Sequence, residues 1–128
     1  GIGPFTGQNV HFKHYAPEQI AYAVNRYDFE AWRHWKILDA HLAGKTWMLG
    51  EAYTLLDMAL WGWTRVVPFA LGEQAWAQLP NVKRVFDAVS ARPAAQRAAA
   101  LKDRHAFKTE MDDQAKRAMF PQNERLKA

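Results

Sequence analysis

A chain of 128 residues with 49% hydrophobic and 23% charged side chains has the size and balance of one globular domain, which excludes a disordered polypeptide. The net charge is +4 and the pI near 9.5, but Lys and Arg are interleaved with Asp and Glu along most of the sequence, so the clustering a nucleic-acid footprint requires is missing. Cysteine is absent, which removes disulfides, thiolate metal sites and a protein thiol nucleophile, permits a reducing compartment, and leaves any redox chemistry to sulfur from another molecule.

Residues 1–16, rich in Gly, Pro and Asn, read as a loop, and the start Gly1-Ile2-Gly3-Pro4 lacks the basic flank and apolar core of a signal peptide. Opening on glycine inside such a connection, the sequence reads as a fragment. Pro17 and Glu18 then open a helix in which Ile20, Val24, Tyr27, Ala31, Trp35, Leu38 and Leu42 recur at steps of three and four, and Gly44 ends it. At a rise of about 1.5 Å per residue this is a rod of roughly 40 Å.

An aromatic connection from Thr46 to Tyr53 leads into Thr54-Leu55-Leu56-Asp57, the pattern of a capping box, with Tyr53 and Met58 placed as a hydrophobic staple. The helix that follows, Leu55 to about Leu71, carries Arg65 as its only charge after Asp57 and is therefore expected at the centre of the domain, kinked or ended at Pro68. Pro80 and Asn81 start a third unit with Val82, Val85, Phe86 and Val89 on one stripe, broken at Arg92-Pro93, and an alanine-rich helix from Pro93 to Leu101 follows. From Lys102 onward charge is dense and apolar residues are few (Ala106, Phe107, Met111, Met119, Phe120), which predicts a surface-wrapping or partly disordered tail over residues 102–128. No run approaches the roughly 18 apolar residues of a membrane span. No segment alternates with period two, so the fold class is all-α.

Chemistry-bearing patterns are sparse. His11-Phe12-Lys13-His14-Tyr15 gathers two imidazoles without a third ligand, so no metal is expected. His34 and His41, seven apart, are expected on the surface. There is no phosphate loop and no nucleophile elbow around Ser90. Trp32, Trp35, Trp61, Trp63 and Trp76 fall within helical periodicity, which favours packing over base stacking. Arg26 allows two readings: a solvated arginine pairing with Glu30 at i+4, or a guanidinium fork holding a small-molecule carboxylate. Spacing alone favours the pairing.

The segments Gly7-Gln8-Asn9-Val10-His11-Phe12, Tyr15-Ala16-Pro17-Glu18, Tyr22-Ala23-Val24-Asn25-Arg26-Tyr27, Leu38-Asp39, Thr54-Leu55-Leu56-Asp57-Met58-Ala59 and Ala91-Arg92-Pro93-Ala94 carry a resemblance. Over residues 1–101 the chain is similar to the C-terminal helical domain of a bacterial glutathione S-transferase, in particular the nu-class branch of glutathione-dependent disulfide-bond oxidoreductases. It departs from the usual pattern in using Thr54 for serine and Leu55-Leu56 for isoleucine-alanine, changes that a cap and a helix tolerate.

The resemblance implies a helical bundle that walls the second-substrate pocket and builds the interface of a homodimer. The enzyme would conjugate glutathione or reduce small disulfides with it, taking glutathione as a substrate beside a small electrophile or disulfide, in the cytoplasm and without a metal. By the resemblance, the family's thioredoxin-like N-terminal domain, which activates the glutathione thiol, would lie upstream of Gly1. No residue here is therefore assigned a catalytic role, and the fragment alone is expected to be inactive. The resemblance further implies that Arg26 reaches the glutathione carboxylate of the neighbouring subunit, and that Phe5, His11, Phe12 and Tyr15 line the substrate cleft. The alternative from a different class is a transferase-like helical domain serving only protein association. A nucleic-acid or membrane partner is not expected.

Overall fold

The segment expected as a loop is helical in the computed structural model, which describes residues 1–106 and 108–127. Helix α1 spans Ile2–Val10 and runs into a π-helical turn over His11–Tyr15, where the Ala16 N–H donates to the His11 carbonyl at 2.8 Å. Composition concealed it. Pro4 lies in the first turn, where its missing N–H has no helical partner. Gly3 permits close packing: a Cβ there would fall 2.9 Å from Trp63 Cζ2. Thr6 and Asn9, three residues apart, are the buried face of α1.

Helix α2 covers Ala21–His41 and starts later than the periodicity implied. Ala16 is extended (ψ 142°), as proline imposes on its predecessor, and Gln19 Nε2 reaches back to the Lys13 carbonyl at 3.4 Å, so residues 17–20 remain outside the helix. Of the expected stripe, Ala31, Trp35 and Leu42 are buried while Ile20 is exposed. Gly44 at φ +70° makes the left-handed turn that follows.

Helix α3 (Leu55–Thr64) begins with the expected capping box: Thr54 caps the helix, and Asp57 Oδ2 accepts the Thr54 N–H at 2.7 Å. Asp57 is fully buried, and its other oxygen accepts the Met48 N–H at 2.8 Å. The expectation that this helix is central is corrected. It buries Asp57, Leu60 and Thr64 but leaves Leu55 76% exposed, with Leu56, Met58 and Trp63 also open. Uniform hydrophobicity recorded that many faces are apolar, not which of them the domain covers. The break falls at Arg65–Val66, and Pro68 sits in the first turn of α4 (Val67–Leu71).

A 3₁₀ turn over Glu73–Gln78 precedes α5 (Pro80–Ser90), whose Val82, Val85 and Val89 are buried as the stripe predicts. Its N-terminus is capped from another helix: Asp39 Oδ1 on α2 accepts the N–H groups of Asn81 and Val82, both at 2.8 Å. Helix α6 (Pro93–Ala99) is followed by a 3₁₀ turn over Ala100–Arg104. In the charged segment, α7 (Asp113–Met119) is capped by Asp112, whose Oδ1 accepts the Ala115 N–H at 2.9 Å, and a 3₁₀ stretch covers Pro121–Lys127. Phe107, expected among the sparse apolar residues of the tail, lies outside the described residues.

α1 packs along α2 and α3 against α5, around a core of Ala31, Trp35, Leu42, Leu60, Val67 and the valines of α5. No helix among the described residues is long and apolar enough to cross a membrane.

Candidate functional site

The π-helical turn is pinned at one end of α2. Lys13 Nζ bonds Asp28 Oδ1 at 2.5 Å and the Ala70 carbonyl at 3.0 Å, and Asn9 Nδ2 donates to the same carbonyl at 3.0 Å. Three segments, α1 with its turn, α2 and α4, are thereby fixed to one another by a carbonyl that the end of a short helix leaves free.

On this support the rings form a continuous seam. His34 stacks on Phe5 at 4.7 Å between centroids, Phe5 meets Tyr27 at 6.5 Å, and Tyr27 stacks almost parallel on Phe12 at 5.2 Å. Phe12 then meets His11 edge-on at 5.1 Å, and His11 meets Phe120 of the tail at 4.9 Å. Tyr15 lies between Phe120 at 6.0 Å and Phe69 at 6.3 Å, and His14 stacks on Phe69 at 4.3 Å. Phe5, His11, Phe12 and Tyr15, singled out in the sequence, thus share one surface. Beside it a cleft of about 370 Å³ is lined by Tyr15, Pro17, Lys116, Arg117 and Phe120.

One expectation needs correction. His34 is not a surface residue: its ring is packed on Phe5, and Nδ1 lies 2.8 Å from the Glu30 carbonyl. His41 is exposed as expected, with Nε2 2.9 Å from the Met48 carbonyl. Phe120 of the charged segment packs on His11 and Tyr15 and closes the seam. Sequence reasoning missed Phe69 and Phe120 because nothing local links them to His11 or Tyr15. Lys13 and Asp28, 15 residues apart, were equally silent.

Arg26 precedes Tyr27 on α2. Its Nη1 donates to Glu30 Oε1 at 2.5 Å, as the i+4 spacing predicts. The pair is not a wet one, because Glu30 is only 6% exposed. Arg33, one turn on, holds Glu30 Oε2 through Nε at 2.9 Å and Nη2 at 2.7 Å. Hydrogen bonds from Arg33 and then Arg26 outweigh desolvation and hold the Glu30 carboxyl at about 2, against an ordinary 4.5. The same contact with Glu30 raises the Arg26 guanidinium above its ordinary value.

A pH dependence follows. Because the folded state lowers the Glu30 pKa, Glu30 contributes stability above pH 4.5 that is lost as pH falls toward 2. Asp112, lowered by its bond from Lys108, acts in the same direction. Urea midpoints measured at one-unit steps from pH 5 to 2 should fall, and Glu30→Gln should flatten the descent. An equally steep descent in the variant would assign the loss to other carboxylates.

Comparison with known proteins places this geometry. The glutathione S-transferase C-terminal domain model matches residues 29–93. The disulfide-bond oxidoreductase YfcG of Escherichia coli is 37% identical over 101 residues, covering 73% of this chain and 43% of that protein. The E. coli disulfide-bond oxidoreductase YghU is 47% identical over 64 residues, 49% of this chain and 22% of the relative. Among solved structures, a glutathione transferase family member from Pseudomonas fluorescens with two glutathiones bound superposes with a TM-score of 0.69 at 37% identity, covering 76% of this chain and 45% of that one. A glutathione transferase from Burkholderia graminis, with two glutathiones bound per subunit, gives 0.71 at 32% identity, covering 82% and 46%. The chain thus spans less than half the length of these relatives. With a family match over half its residues and this likeness to solved transferases, the chain belongs to the glutathione S-transferase C-terminal domain family.

Proposed function

We propose that this domain serves a glutathione-using enzyme, walling its second-substrate pocket with the aromatic seam and building the interface of a homodimer. In this reading the enzyme conjugates glutathione to small electrophiles or reduces small disulfides with it, and a thioredoxin-like domain activates the thiol. The observation that carries the reading is Arg26, a half-exposed guanidinium on α2 in a chain similar to disulfide-bond oxidoreductases and to glutathione-bound transferases. Arg26 meets a glutathione carboxylate across the dimer, where a planar fork suits a planar anion.

Arg26→Ala in the glutathione-using protein should raise KM for glutathione by about 10- to 100-fold, the scale of one lost charged hydrogen-bond partner. Arg26→Lys should recover only part, keeping the charge without the fork. Unchanged KM and kcat/KM in a dimer verified by light scattering would remove Arg26 from the binding site.

A second reading, a domain for protein association alone, draws on the open apolar side of α3, with Leu55, Leu56, Met58 and Trp63 in solvent. Glutathione-dependent turnover by the whole protein would decide for the enzyme.

A further inference from the structure

We propose that Glu30 is the positioning residue for Arg26, with Arg33 as its charge balance: the buried carboxylate anchors one nitrogen of Arg26 and leaves the other edge of that guanidinium free to bind a ligand carboxylate. The inference rests on the reading that Arg26 meets glutathione, and it removes the apparent choice between an Arg26–Glu30 ion pair and an Arg26 ligand contact.

The two arginines spend their donors differently. Arg33 commits its Nε and Nη2, the edge of the fork that can bind bidentately, to a single oxygen of Glu30. Arg26 commits only Nη1, to the other oxygen. Its Nε and Nη2 donate to no group among the described residues, and its side chain is 49% exposed. Both oxygens of Glu30 are thus occupied, and Arg26 retains the edge suited to a second carboxylate.

Charge bookkeeping gives the same division of roles. One carboxylate between two guanidiniums leaves one positive charge, and without Arg33 the Arg26–Glu30 pair would be neutral. His34, the other titratable group against Glu30, turns Nδ1 to the backbone carbonyl at 2.8 Å and lies 3.7 Å from Oε2, so it does not displace either arginine. Burial explains why the anchor holds. Exposed i,i+4 pairs exchange with water and fix little, whereas this carboxylate is set into the helix face and stays ionised throughout the neutral range. An arginine already held in its binding rotamer loses less freedom when ligand arrives.

Two measurements test the inference. In ¹⁵N NMR of arginine Nε–H groups in this chain, the Arg26 signal should be ordered in the wild type, disordered in Glu30→Gln and intermediate in Glu30→Asp. It should remain ordered in Arg33→Met, which leaves the anchor but cancels the charge. In glutathione kinetics of the protein, Glu30→Gln should raise KM for glutathione roughly tenfold, with kcat at saturating glutathione changed less. Adding Glu30→Gln to Arg26→Ala should then change nothing further, because both act through one contact.

Equal order of Arg26 with and without Glu30, or additive effects of the two substitutions on KM, would overturn the positioning role. An unchanged KM in Arg26→Ala together with lost Arg26 order in Glu30→Gln would instead remove the glutathione reading and leave the anchor established. Should Glu30→Gln unfold, as its urea midpoint would reveal, Glu30→Asp carries the same comparison.

Discussion

Trp35→Ala should lower the unfolding free energy by about 3–5 kcal/mol. Trp35 is the largest of the fully buried side chains, at 0% exposure, and it belongs to the core cluster that joins α2 to the buried residues of α3, α4 and α5. Truncation removes a large apolar surface from a close-packed site and leaves a cavity that rigid helices cannot close. It also strips the Thr6 hydroxyl of its donor, since Trp35 Nε1 bonds Thr6 Oγ1 at 3.0 Å and so ties α2 to α1. Trp35→Phe separates these contributions: it refills most of the volume but leaves Thr6 unpaired, for an expected cost of about 1–3 kcal/mol. Urea unfolding followed by far-ultraviolet circular dichroism measures both. A loss below about 1 kcal/mol in Trp35→Ala would mean that the core is organised elsewhere.

The second large effect is expected at the start of α3. Asp57→Ala should cost about 2–5 kcal/mol, because it removes a fully buried carboxylate and leaves the half-buried N–H groups of Met48 and Thr54 without their acceptor. Thr54→Ala should cost less, about 0.5–2 kcal/mol, the usual value of an N-cap. The ordering is informative. Seen from sequence, the two residues of a capping box are reciprocal partners, but here Asp57 also holds the aromatic connection, through Met48, against the helix. The Thr54 hydroxyl, by contrast, accepts a long bond of 3.3 Å from the Leu56 N–H. Asp57→Asn, which retains one acceptor, should fall between the two alanine variants. Equal costs for Asp57→Ala and Thr54→Ala would show that the bond to Met48 contributes nothing.

Both sites mark the boundary of what the sequence alone determined. Signals carried within about four residues were legible: the capping box at Thr54, the positive φ of Gly44, the extended Arg92 before Pro93, the break around Pro68 and the valine stripe of α5. Each is dictated by backbone sterics or by a hydrogen bond between near neighbours, so it acts whatever the rest of the chain does.

What the tertiary structure alone decided is of another kind. α1 is a helix despite its glycines and proline because Thr6 meets Trp35, 29 residues away, and Asn9 meets Ala70, 61 away. The apolar side of α3 that faces solvent, the seat of His34 on Phe5 and the closure of the seam by Phe120 depend on similar encounters. Arg26 shows the division most sharply. Its spacing from Glu30 was plain in the sequence, but the burial of that carboxylate and the second arginine on it were not, because periodicity gives which residues can meet and only packing gives how far water is excluded when they do.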